Sequence, residues 1–168
     1  MNFDYCIEQL TVNAAAIKAL TAGIDAEQAR WKPSPEAWSV LEVVNHLADE
    51  EREDFRPFAE WALGGPAKAP HDPDSWIATR GYNERDLAAS IADFIQERER
   101  SLAWLRGLSS TDWQTPVAYT YRPGFRAGDV LASWVAHDIL HQRQLVELRF
   151  GLAQAALSPF NVQYAGEW

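Results

Sequence analysis

Apolar residues recur at three- and four-residue spacing along four long segments of this chain, and no comparable stretch alternates with a period of two. A face repeated every 3.6 residues over several turns has to be buried against other helices, so the pattern predicts an all-α fold. The first segment runs from Phe3 to Ala22, with Ile7, Leu10, Ala14, Ile17 and Leu20 on one face and Gly23 as its stop. The second opens at Ser39, where Ser39 and Glu42 have the spacing of a capping box and Trp38 takes the staple position before it. Its apolar positions continue to Ala62, and Gly64-Gly65-Pro66 ends it. Pro57 lies inside the pattern and predicts a kink or a lost hydrogen bond there. The third segment begins near Asn83, shows Leu87, Ile91, Phe94, Leu102 and Leu105 on its face, and closes at Arg106-Gly107. The fourth runs from about Gly128 to Phe150 and stops at Gly151. Between them, Pro66 to Gly81 reads as an irregular loop, and Ser109 to Arg126 is aromatic and too weakly patterned for a hairpin. Helices of 20 to 25 residues are roughly 30 Å long, the size of a four-helix bundle whose long connections allow a non-sequential order.

Length and charge narrow the function. A chain of 168 residues suggests one domain over 1–168. Fifteen Lys and Arg against 24 Asp and Glu leave a net charge of −9, which excludes nucleic acid and anionic membrane as natural partners because neither offers a counter-charge to it. Cys6 is the one cysteine, so an internal disulfide and a Cys-rich zinc site are both excluded. The start of the chain lacks the basic and apolar regions of a signal peptide, and no run of about 18 apolar residues is present, so a cytoplasmic protein is expected.

With only four histidines, any metal or acid–base site has few candidates. His137 and His141 are spaced i, i+4, which places both imidazoles on one helix face, on the stripe of Val130, Trp134 and Leu148. Two imidazoles on an apolar stripe need partners; a shared metal supplies one, and ordinary hydrogen bonds supply another. His46 is a third candidate from the second helix. It lies away from the Leu41/Val44/Phe55 stripe and beside Glu50, so His46 and Glu50 form either one edge of a metal site or a surface pair. His71 falls in the proline-bearing loop and is expected to face solvent.

Two motifs at these positions resemble the DinB/YfiT-like superfamily. One is Trp38-Ser39-Val40-Leu41-Glu42-Val43-Val44-Asn45-His46-Leu47-Ala48-Asp49-Glu50-Glu51, and the other is His137-Asp138-Ile139-Leu140-His141 followed by Gln144-Leu145. The ending Asn161 to Trp168 is similar to the tail of some members. The resemblance spans nearly the whole chain. It implies a four-helix bundle of up-down-down-up connectivity, often a homodimer. It also implies a divalent metal, zinc or nickel, held by three histidines that fall here on His46, His137 and His141. Asn45 and Asp138 stand where some members carry additional histidines, which argues against a larger metal cluster.

A three-His site lowers the pKa of a bound water or activates a thiolate. The expected function is therefore a metal-dependent enzyme acting on a small molecule, by S-transfer with a low-molecular-weight thiol or by hydrolysis. The alternatives are a non-catalytic metal-binding stress-response bundle and a dimerisation module. Glu50 is the favoured acid–base residue, one turn from His46, with Asp49 and Asp138 as further carboxylates; each of the three could equally be a solvated helix-face charge. Glu51 occupies an apolar stripe and calls for an Arg from another helix. Trp134 is expected to line the site, and Trp113, Tyr119 and Tyr121 to wall a pocket or pack in the core. Arg122 and Arg126 could meet an anionic substrate or be solvated, and Cys6 reads as a core thiol.

Overall fold

The structure is a computed structural model, and it describes residues 2–67, 72–117 and 123–166. Six α-helices are present among them: α1 (Phe3–Leu20), α2 (Val40–Asp49), α3 (Arg56–Ala62), α4 (Pro73–Thr79), α5 (Leu87–Arg106) and α6 (Ala127–Leu157). A π-helical turn, Glu50–Phe55, joins α2 to α3 without a break, so the two form one bundle helix. The only pairing of extended backbone among the described residues is an isolated bridge between Pro116 and Arg126.

Side-chain bonds fix the directions. Asn13 donates to the Val135 carbonyl (3.4 Å), and Arg149 donates to the Leu20 carbonyl (3.0 Å), so α1 and α6 run parallel. Asn45 meets Ser90 (2.9 Å), Glu51 meets Arg98 (2.8 Å) and Ser101 meets Arg56 (3.1 Å), so α2–α3 runs parallel to α5. Trp134 reaches Glu51, while Leu148, in the C-terminal half of α6, packs with Val40 and Val44; α6 is antiparallel to α2–α3. The result is the up-down-down-up four-helix bundle.

Each helix starts as its local sequence dictates. The Ser39 hydroxyl accepts from the Glu42 amide (3.1 Å) and the Glu42 carboxylate accepts from the Ser39 amide (2.7 Å), which completes the capping box. Asp86 caps α5 by accepting from the Ala89 amide (2.8 Å), so it stands just outside the helix. The irregularity expected at Pro57 takes the form of the π turn upstream of it, with Pro57 itself in the first turn of α3. Proline has no N–H to offer the preceding turn and its ring crowds the carbonyl four residues back; a wider turn relieves both.

Two expectations fail for tertiary reasons. The stretch 66–81 is not wholly irregular, because Pro73 opens α4, whose Trp76 is buried against α2. Nor does Gly151 end the last helix, since α6 continues to Leu157. A Cβ at Gly151 would lie 2.7 Å from the Trp31 ring, so the glycine serves close packing of that indole on the helix rather than termination.

The core has two halves. One gathers Leu10, Phe55, Leu131 and Trp134; the other gathers Ile17, Val44, Phe94 and Leu148. A polar layer separates them, centred on Arg98. Arg98 donates to Glu51 Oε1 (2.8 Å), to both Asp138 oxygens (2.7 and 2.8 Å) and to the Leu10 carbonyl (2.7 Å). Trp134 Nε1 adds a bond to Glu51 Oε1 (2.7 Å). Glu51 thus finds its arginine on α5. Burial pulls the Arg98 pKa down, but the charges of Glu51 and Asp138 and their hydrogen bonds outweigh it, so the net shift is upward and the guanidinium stays charged. Replacing Arg98 by Met leaves two carboxylates buried without their cation and should cost about 3–5 kcal/mol in urea unfolding. The triple variant Arg98→Met/Glu51→Leu/Asp138→Leu should recover most of that loss.

Candidate metal centre

His46, His137 and His141 meet at the outer edge of this polar layer. Each offers a ring nitrogen, and the three lie within 4.8 Å of one another. His137 and His141 come together through their i, i+4 spacing on α6, with ring centroids 4.5 Å apart. His46 joins from α2, its centroid 5.5 Å from that of His137 and 5.0 Å from that of His141. His46 could join because α2 is buried on every side. Residues Val40 to Asp49 are all buried, so the face away from the main apolar stripe is covered too. Trp38 covers it on one side, its ring edge-on to His46 (4.9 Å) and stacked on His141 (5.8 Å). Trp76 of α4 approaches His46 from another (6.4 Å).

The electrostatics keep the cluster neutral. Burial, then the charges of His141 and His137, pull the His46 pKa down to about 3. Burial first and the His141 charge second pull His137 down to about 3, and burial lowers His141. Neutral imidazole is the form that ligates metals. Gln144 Oε1 lies 2.8 Å from His141 Nδ1 and can only accept there, so Nδ1 carries the proton and Nε2 keeps its lone pair. His137 Nε2 stands 3.2 Å from that lone pair. Such a pair needs a shared proton or a shared cation. Two nitrogen ligands about 2.0–2.1 Å from one metal are roughly 3 Å apart, so the spacing suits a divalent ion. His46 Nδ1 is buried with no hydrogen-bond partner among the described residues. The donor set therefore fits a metal.

Glu50, the first residue of the π turn, is 4% exposed, and its Oε1 lies 3.7 Å from His46 Nε2. The three histidines, Glu50, Trp38 and Gln144 line an open cleft of about 520 Å³. The other carboxylates go elsewhere. Asp138 is committed to Arg98, while Asp49 accepts from Arg52 (2.6 Å), Arg80 and Tyr82 (2.6 Å). Both are buried in ion pairs, neither solvated nor turned to the cleft.

The aromatic expectations are reordered as well. Trp134 does not line the cleft; it stacks behind Phe55 (5.4 Å), whose ring in turn meets His137 (5.0 Å). Trp113 stacks on Phe3 (5.6 Å) in the same half of the core as Trp134, away from the cleft lining. Arg126 pairs with Asp129 at the start of α6, and Cys6 is a buried core thiol. His71, Tyr119, Tyr121, Arg122 and the last two residues lie outside the described residues. Trp38 and Trp76 were the missed neighbours of the site. The staple position of Trp38 was legible, but its second face on His141 was not.

A four-helix bundle with three neutral imidazoles converging in an open cleft is the class of protein that fold and site define. A sequence profile of the DinB superfamily matches residues 9–145, and the chain belongs to that superfamily. Among solved structures it is similar to YfiT from Bacillus subtilis, described as a probable metal-dependent hydrolase with an unusual four-helix bundle topology. The TM-score is 0.76 at 22% identity, over 90% of this chain and 87% of that one, which is a likeness of fold. No curated protein matches the chain.

The depressed histidine pKa values set a pH dependence for metal-free protein. The unfolded chain takes up protons near pH 6.5, whereas folded His46 and His137 do so only near 3. Their contribution is therefore complete above about pH 6.5 and is lost as pH falls through the interval from 6.5 towards 3. Urea unfolding of chelator-treated protein should lose about 2 kcal/mol in all between pH 7 and 5 for each such histidine, the slope approaching its limit of roughly 1.4 kcal/mol per pH unit only well below pH 6.5. A His137→Gln variant should show a shallower slope; equal slopes would contradict the cluster's burial.

Proposed function

We propose that this protein is a metal-dependent enzyme acting on a small molecule, with His46, His137 and His141 as ligands of one zinc or nickel ion and hydrolysis as its reaction. The observation that carries the reading is the convergence of three neutral imidazoles on the wall of an open cleft. A purely structural metal would be enclosed by four protein ligands. A divalent ion bound there supplies Lewis acidity and lowers the pKa of a water or a thiol. The likeness to a bundle described as a probable metal-dependent hydrolase supports the same reading.

The chain's own residues supply the rest. Gln144 holds the His141 ring in the tautomer that leaves Nε2 free. Glu50 stands beside His46 with a carboxylate able to take a proton from a nucleophile and return it to a leaving group. Trp38, Trp76 and Phe55 pack around the imidazoles and exclude water from their backs. Thiol-dependent S-transfer would use the same ligands and differs in requiring an added thiol. No described helix is long and apolar enough to cross a membrane. A cytoplasmic homodimer is part of the proposal, and sedimentation tests its assembly.

Protein purified without chelator or immobilised-metal resin should contain about one divalent ion per chain, as a single three-His site requires. Full metal retention by His137→Ala/His141→Ala would sink the ligand assignment. Glu50→Gln should keep the metal and lower kcat by about 10²-fold or more on whichever ester, amide or thiol substrate the wild type turns over. If Glu50→Gln instead loses the metal, Glu50 is a ligand and not the proton acceptor.

A further inference from the structure

The His cleft does not end at Trp38. A second cleft of about 670 Å³ lies on the far side of that indole, and Trp38, Gln144 and Glu147 line both. Its other walls come from the connector between α1 and α2 and from the last turns of α6, with Trp31, Glu36 and Phe150 among them. Gly151 makes the second cleft possible in this form. The Trp31 ring approaches the glycine edge-first, so closely that a Cβ would stand 2.7 Å from its Cη2, which sets the indole against α6 as a wall. Each cleft has the size of a small-ligand site, and the two adjoin along α6 through the lining residues they share.

The lining chemistry is one-sided. Glu36 and Glu147 are the charged side chains of the second cleft, and Glu50 adds a third carboxylate at the histidines. Among the described residues Arg143 is the one guanidinium lining the two clefts; it reaches Glu147 at 3.3 Å, with both side chains exposed, so the pairing is weak and screened. Aromatic faces flanked by carboxylates attract organic cations, through the ring quadrupole and through charge. The net charge of −9 draws cations towards the molecule from a distance.

We infer that the second cleft holds the distal part of the substrate, and that it selects a substrate carrying an ammonium group on an apolar segment, between Trp31 and Trp38 and facing Glu36 and Glu147. The word substrate rests on the His cleft being the reaction centre; the binding chemistry does not.

Hexyltrimethylammonium is a suitable probe, since it neither ligates a metal nor donates a hydrogen bond. Titrated into the metal-loaded full chain by calorimetry, it should bind about fivefold or more tighter than hexan-1-ol or hexanoate, the margin expected of cation–π contact. In NMR spectra it should shift the indole N–H signals of both Trp31 and Trp38. Glu36→Gln/Glu147→Gln should abolish the preference for the cation, and Trp31→Ala should weaken all three probes. Equal or tighter binding of hexan-1-ol or hexanoate would overturn the inference, as would indole shifts confined to other tryptophans. The shift test needs no variant and stands even if Trp31→Ala fails to fold. Cation binding that persists in His137→Ala/His141→Ala supports the cleft independently of the metal, whereas full metal content without cation binding overturns the cleft alone.

Discussion

A buried guanidinium ties this molecule together. Arg98 touches all four bundle helices at once: it lies on α5, bonds the Leu10 carbonyl of α1, the Glu51 carboxylate of the π turn and the Asp138 carboxylate of α6. Burying it is expensive, and a hydrophobic layer of the same volume would stabilise the bundle as well or better. What the polar layer supplies is register. Apolar helices can slide or rotate against one another at small cost, but a three-way ion pair has one geometry. Asp138 is the neighbour of His137 and Glu51 is the neighbour of Glu50. The residues that fix the frame are thus one position away from those that form the cleft, and the register of the ion pair becomes the register of the histidines.

That adjacency is useful because consecutive residues of a helix point in different directions, about 100° apart in a regular one, so Glu50 and Glu51, the first two residues of the π turn, enter two environments. Glu50 faces His46, while Glu51 faces Arg98 and Trp134. One residue position separates a carboxylate on the wall of the cleft from a carboxylate in the buried ion-pair layer. Pro57, just downstream, gives a local reason for the irregularity to fall where it does.

Much of this was legible in advance. The capping box at Ser39, the stop of α5 at Gly107, the periodicity of four helices and the need of Glu51 for an arginine are local or pairwise rules, and the structure meets each of them, although α5 starts at Leu87 rather than near Asn83. The errors share a cause. Gly151 reads as a stop by its chemistry, yet it is a contact surface for Trp31. Trp134 shares the stripe of His137 but is turned behind Phe55, while Trp38, distant in sequence from the α6 histidines, lies on His141. Asp138 looked like a free carboxylate because its partner Arg98 comes from another helix; Asp49 takes Arg80 from beyond its own helix as well, although Arg52, three residues on, was a local partner in view.

The sequence by itself determined the helices, their caps and the i, i+4 pairing of His137 with His141, because these depend on spacing along one chain segment. Tertiary structure alone decided that His46 joins them, that Glu50 rather than Asp49 or Asp138 faces the cleft, and that Trp38 lines two adjoining clefts. A helical wheel assigns each residue to one face and assumes that one face is wet. In α2 that assumption fails: α4, α5, α6 and the Trp38 connector close around it, and burial all round turns the off-stripe His46 from a surface residue into the third member of the cluster.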